Sequence, residues 1–199
     1  FNHTLRKIFA PSQNFVYADR EGNIGYISPG KIPIRKKGNG MLPVPGWDSS
    51  YDWKGWIPFE ELPRGFNPEK GFFATANQKV VGSDYPYLIA NSWEPPYRAK
   101  RLNHLLEEAI DLGGISLEQM KHIQIDQISL QALEVLPYLR RLEGRNESEH
   151  KALMLLKEWT GELSRDSRAA VVYEVWLHHF ERKLFRDDLR DPLFERMNG

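Results

Sequence analysis

The sequence has no cysteine among its 199 residues, so disulfide bridges and thiolate zinc sites are excluded, while compartment stays open. An excess of either charge is missing too. Lys plus Arg and Asp plus Glu each total 27, for a formal net charge of zero, and no broad field is left to draw in nucleic acid or an anionic membrane surface. Long apolar runs are absent: none approaches the ~20 residues that span a bilayer, and nothing near Phe1 has the pattern of a signal peptide. Nor is there a GxSxG elbow, a P-loop, a GxGxxG turn after a strand, or a Cys/His metal-ligand spacing. What the chain does have is large apolar side chains, 41% apolar and 12% aromatic, enough for one sizeable core or two small ones. Phe1 cannot come from normal initiation and Asn2-His3-Thr4-Leu5-Arg6 begins as though inside an element, so the sequence reads as a segment of a longer chain.

One stretch organises the rest. Gly71-Phe72-Phe73-Ala74-Thr75-Ala76-Asn77-Gln78 predicts a buried β-strand, introduced by Asn67-Pro68 and ended by Gly82-Ser83-Asp84, and it brings a carboxamide to a place where water is scarce. Before it, a short helical lead through Leu5, Ile8 and Phe9 stops at Pro11. Asn14 to Asp19 then predicts a strand, Asp19-Arg20-Glu21-Gly22-Asn23 a turn, and Ile24-Gly25-Tyr26-Ile27 the returning strand of a hairpin. Ser28 to Gly46 is dense in Pro and Gly and reads as ordered but irregular, with Arg35-Lys36-Lys37 solvated. Trp47, Tyr51, Trp53, Trp56 and Phe59 form an aromatic cluster, read as rings packed under a long loop, with a ligand platform as the alternative.

The composition turns helical at Pro95-Pro96, where a helix can begin without losing a needed N–H. Leu102, Leu105, Leu106, Ala109 and Ile110 share a face until Gly113-Gly114; a second helix starts at Ser116 with Gln119 completing a capping box. A third, about Ser129 to Leu142, contains Pro137. A fourth passes through Leu153, Leu156 and Trp159 to Gly161. A fifth, capped by Asp166 or Ser164, carries the stripe Ala169, Val172, Tyr173, Trp176, Phe180 and Leu184. The expected architecture is one α+β unit, residues 1–94 rich in strands and loops and residues 95–199 helical.

By residue type the chemistry rests on few groups. Asn77 offers two uncharged N–H donors, suited to a carbonyl oxygen that turns negative during acyl transfer, or to bonding neighbouring backbone. Arg98 sits in the first turn of a helix, an unfavourable place for a cation unless something nearby needs it. His178 and His179 point about 100° apart on a helix and cannot ligate one metal as HExxH does. Asp126 reads as a cap or salt-bridge partner.

The wording of the sequence carries more. Pro11-Ser12-Gln13-Asn14-Phe15-Val16-Tyr17-Ala18-Asp19, Gly22-Asn23-Ile24-Gly25-Tyr26, Gly30-Lys31-Ile32-Pro33-Ile34-Arg35, Pro43-Val44-Pro45-Gly46 and Asp52-Trp53-Lys54-Gly55 closely resemble the β-subunit of the penicillin acylase family. The likeness continues through Pro58-Phe59-Glu60, Asn67-Pro68, Gly71 to Asn77, Tyr85-Pro86 and Arg98, and more weakly into Gln124-Ile125-Asp126 and Trp159-Thr160-Gly161. It implies part of an αββα N-terminal-nucleophile hydrolase core followed by an inserted helical region. The activity implied is hydrolysis of N-acyl amides such as penicillins, acyl-homoserine lactones or glutaryl amides. In such enzymes a self-cleaved precursor frees a Ser whose α-amino group acts as base.

Residue by residue, the resemblance places the oxyanion Asn on Asn77, a site-ordering Arg on Arg98 and, more weakly, a pocket position on Gln13. It implies the remainder of the β-subunit and the α-subunit as partners, and a periplasmic or extracellular setting. The nucleophile is not among these residues: Phe1 lies downstream of where the β-subunit begins, so the segment alone is expected to be inactive. No cofactor is expected for catalysis. Some members hold calcium through an Asp shortly after the Tyr-Pro pair, but Tyr85-Pro86 is followed here by Tyr87-Leu88-Ile89-Ala90, which offers no such ligand. Without its later strands, the sheet should expose edges and self-associate. The alternative to an amidase is a non-catalytic binding module using Trp47 to Phe59 as an aromatic platform. Exposure of Trp53 and Trp56 is what that module needs, whereas the amidase reading expects them buried beside the Asn77 strand.

Overall fold

The computed structural model describes residues 2–186, and the chain divides into two compact units, residues 1–108 and 109–199. In the first, a short helix α1 (Asn2–Leu5) precedes the expected hairpin of β1 (Phe15–Ala18) and β2 (Ile24–Ile27). The strands run antiparallel with Val16 opposite Tyr26 and Ala18 opposite Ile24. One carboxylate builds their turn. Asp19 Oδ1 accepts from the backbone N–H groups of Glu21 at 3.0 Å and Asn23 at 2.8 Å, while Oδ2 accepts from Asn23 Nδ2 and from the Tyr17 hydroxyl. Hydrogen bonds from Asn23, side chain first and then backbone, hold the Asp19 carboxyl below its ordinary range because they favour the charged form.

The strand β3 (Pro33–Arg35) pairs with β4 (Trp53–Trp56) as a separate two-stranded sheet, and β5 (Arg64–Phe66) joins the free side of β2, giving the order β1-β2-β5. Asn67, at φ 44°, continues that edge by side chain: Oδ1 accepts from Ile24 N and Nδ2 donates to Asn23 Oδ1. A small core of Ile32, Ile57 and Leu62 lies under Ile34, Phe59, Tyr87 and Ile89.

Two expectations fail in this unit. Residues 71–78 form no strand. Phe72 is buried and Phe73 packs its ring over Gly65, where an added Cβ would come within 2.6 Å of the ring edge. The run therefore docks on the sheet through side chains, while Gln78 binds the backbone of Ala74 and Ala76 and takes up groups that a ladder would have used. The aromatic cluster is not packed away either. Trp47, Trp53 and Trp56 are 90%, 55% and 37% exposed. A two-stranded sheet has no further strand to cover them, and the rings of Trp53 and Trp56 meet edge to face at 5.2 Å, with Phe9 against Trp56.

The helix α2 (Tyr97–Asp111) begins after Pro95-Pro96 and stops at Gly113 and Gly114, whose φ values of 108° and 122° no other residue type readily adopts. In the second unit follow α3 (Leu117–Gln124), α4 (Leu130–Leu139), α5 (Glu147–Glu158) and α6 (Arg168–Phe185). The capping box at Ser116 and Gln119 is present in both directions. Ser167, rather than Asp166 or Ser164, caps α6: its side chain accepts from Ala170 N. The chain is still turning before it, since Ser167 N donates to Ser164 O.

Ala132, Leu136, Leu139, Leu156, Trp159, Ala169, Ala170 and Tyr173 form the core of this unit. Arg140 closes α5 from its C-terminal side, donating to the carbonyls of Leu156 and Trp159, where a cation also meets the negative end of the helix dipole. The stripe on α6 is buried at Ala169 and Tyr173 but exposed at Phe180 and Leu184.

Candidate functional site

Asn77 does not sit where water is scarce; it is exposed, on an irregular segment, with φ 63°. Asn is among the few residues that adopt this left-handed conformation, because its short polar side chain can bond locally. Its neighbours hold it from several directions. Glu94 N donates to the Asn77 carbonyl at 3.1 Å, and Arg98 Nη2 donates to Asn77 Oδ1 at 2.9 Å. Reaching back across it, Gln78 Oε1 accepts from Ala76 N at 2.6 Å, and Gln78 Nε2 donates to Ala74 O at 3.3 Å.

The bond from Arg98 has a chemical consequence. A guanidinium has donors and no acceptor, so the carboxamide must turn Oδ1 toward it, which directs Nδ2 and both of its N–H donors the other way. Among the described residues, no hydrogen bond from Nδ2 is formed, and Asn77 is an exposed residue. Arg98 stays exposed in the first turn of α2, and its reach to Asn77 supplies the partner that its position against the helix dipole calls for. The pair thus presents a neutral double donor with a cation behind it. That arrangement stabilises an oxygen on which negative charge develops.

Gln13 is exposed in the segment leading to β1, and no hydrogen bond among the described residues joins it to Asn77 or Arg98. Asp126 Oδ1 accepts from Ile128 N, a local turn contact. His178 and His179 are exposed on α6, their rings edge to face at 5.6 Å. Among the described residues no group of three or more His, Cys, Asp or Glu is placed to hold a metal ion, and no helix is long and apolar enough to cross a membrane. Sequence reasoning did not single out Gln78 or Glu94. Their bonds depend on a turn that residue type and periodicity do not announce.

Comparison with known proteins gives the relatives of the whole chain. The chain is 32% identical over 181 residues to penicillin acylase 2 proenzyme of Pseudomonas sp. (strain SE83), an alignment that covers 87% of this chain and 22% of that protein. It is 33% identical over 203 residues to acyl-homoserine lactone acylase QuiP of Pseudomonas fluorescens, covering 92% of this chain and 24% of that protein. The chain therefore spans less than a quarter of the length of these relatives. Its α+β architecture matches a thermostable penicillin G acylase from Alcaligenes faecalis with a TM-score of 0.72 and 22% identity, over 97% of this chain and 36% of that one. The penicillin amidase family model matches residues 1–198, and the chain belongs to that family.

Proposed function

We propose that this chain supplies the oxyanion-stabilising donor of an amidohydrolase that cleaves the amide bond of N-acyl substrates. The observation that carries the reading is the bond from Arg98 to Asn77 Oδ1 at 2.9 Å, which leaves the Nδ2 donors directed away from the cation. Attack on the substrate's carbonyl carbon turns its oxygen into an oxyanion, and hydrogen bonds from Asn77 Nδ2 are stronger to that oxygen than to the ground-state carbonyl. Collapse expels the amine, which takes up the proton given up by the nucleophile, and water then cleaves the acyl–nucleophile bond to give the carboxylic acid and the free nucleophile. Asn77 and Arg98 supply no nucleophile, so that group comes from elsewhere in the enzyme, and no cofactor takes part in the sequence as written.

The relatives' names put β-lactam acyl amides and acyl-homoserine lactones in the range of acyl amides to test, and the family resemblance adds glutaryl amides. As partners we propose the rest of a larger acylase, namely the remaining β-subunit and an α-subunit, in a periplasmic or extracellular setting. The reading is tested by assaying the 199-residue chain and the full enzyme side by side with phenylacetyl, long-chain acyl and glutaryl amides. Turnover is expected from the full enzyme only. Turnover by the chain alone above a nucleophile-free control would overturn the division of labour proposed here.

A second reading rests on the exposure of Trp47, Trp53 and Trp56, which is what an aromatic ligand platform requires. The same exposure suits a surface covered by the rest of a larger enzyme, or one that drives the isolated chain to self-associate. Acrylamide quenching separates these cases. Tryptophans that stay accessible in the full enzyme and shift on adding an aromatic ligand support the platform; shielding in the full enzyme supports an internal interface. Sedimentation of the isolated chain over a concentration series tests self-association, and a strictly monomeric profile counts against it.

A further inference from the structure

We propose that Gln78 is a positioning residue that sets the direction of the Asn77 donors, an inference that rests on the oxyanion reading of Asn77. The run from Phe72 to Ala76 has the apolar and small residues of a strand but no ladder, so its backbone polar groups need other partners. The half-buried carboxamide of Gln78 provides two of them. Nε2 donates to Ala74 O and Oε1 accepts from Ala76 N, which closes the backbone from Ala74 to Gln78 into a turn that contains Asn77. On the far side Glu94 N holds the Asn77 carbonyl.

Between these clamps Asn77 is kept at φ 63°. A strand conformation, with φ near −120°, would send the same carboxamide in a different direction, so the turn decides where Nδ2 aims. Among side chains of this length, only a carboxamide makes both bonds. Glu keeps the acceptor and loses the donor, Lys keeps a donor and loses the acceptor, and Met has neither. Gln78 itself touches no reacting atom in this scheme; it acts through Asn77.

The test is a double-mutant cycle in the full, processed enzyme with Gln78→Met, Asn77→Ala and the double variant, and with Gln78→Glu as the conservative change. A donor misplaced by a fraction of an ångström weakens transition-state binding more than ground-state binding. Gln78→Met is therefore expected to lower kcat by roughly 10–100-fold with KM nearly unchanged. Gln78→Glu, which still accepts from Ala76 N, should fall between it and the parent. In the Asn77→Ala background Gln78→Met should cost nothing further, because no donor remains to be aimed.

Multiplied losses in the double variant would show that Gln78 acts independently of Asn77 and would overturn the proposal. A normal kcat for Gln78→Met beside a large loss for Asn77→Ala overturns the proposal and leaves the oxyanion reading standing. A normal kcat for Asn77→Ala overturns both. Should Gln78→Met fail to yield processed, folded protein, the same cycle is read with Gln78→Glu by the same criteria.

Discussion

Removing the Asn77 carboxamide in the full enzyme is the most direct test of the site, and the structure indicates how to separate chemistry from folding. If Nδ2 donates to the developing oxyanion, its loss removes about 2.7–4 kcal/mol of transition-state stabilisation, which is roughly 10²–10³ in kcat. Stability should respond differently to each replacement. Asn77 has φ 63°, where alanine costs about 1–2 kcal/mol and glycine pays no such penalty. The bond to Arg98 is exposed, so losing it adds little to either. Asn77→Ala and Asn77→Gly should therefore lose kcat alike, while only the alanine variant melts clearly earlier. Asn77→Asp completes the set: it still accepts from Arg98 but has no donor, and it should lose at least as much kcat with little change in melting temperature. The assay is steady-state hydrolysis of a chromogenic acyl amide by processed enzyme whose new N-terminal residue is identified by mass. A folded, processed Asn77→Gly enzyme with near-normal kcat would refute the reasoning and leave Asn77 as a residue that only shapes its turn.

Other predictions follow from the same structure. Arg98→Met should lower kcat by about tenfold, because Oδ1 loses the partner that directs the amide and the carboxamide is free to rotate; unchanged kcat would mean that Arg98 does not order the donor. Leu136 is 1% exposed in the helical core, so Leu136→Ala should cost about 2–5 kcal/mol in chemical denaturation of the helical unit, and a loss under 1 kcal/mol would contradict the packing described. The lowered pKa of Asp19 makes a directional prediction about acid. A carboxyl depressed in the folded state stabilises the hairpin above its ordinary value of 3.8 and loses that contribution as pH falls through the folded value. Hydrogen exchange at the Asn23 amide, bonded to Asp19 Oδ1, should therefore lose protection below about pH 3.8, and Asp19→Asn should flatten that dependence; protection unchanged down to pH 2 would rule it out.

The local elements of this chain were legible in its sequence wherever a short-range rule decides the outcome. Asp19 to Asn23 carries its own turn chemistry, and the hairpin forms as read. Ser116 and Gln119 satisfy each other three residues apart, so their capping box needs no tertiary context. The apolar period from Ala169 to Tyr173 likewise predicts which face of α6 is buried. Asn77 and Arg98 could be singled out by residue type, as a neutral double donor and a cation misplaced against a helix dipole, and the wording of the sequence pointed to the family that the comparisons show.

What required the folded chain was every outcome that depends on which groups compete for one partner. The run from Gly71 to Gln78 has the composition of a strand, but Phe73 is taken by Gly65 and the backbone of Ala74 and Ala76 by Gln78, so no ladder forms. The exposure of Trp53 and Trp56 follows from a sheet that stops at two strands, a count that no local pattern contains. Ser167 displaced Asp166 and Ser164 as the cap of α6 because the preceding turn delays the first helical residue. The meeting of Arg98 with Asn77 was decided in the same way: it needs the left-handed bend at Asn77 and the return of the chain through Glu94, and hydrogen bonds between distant segments are chosen only when the whole unit closes.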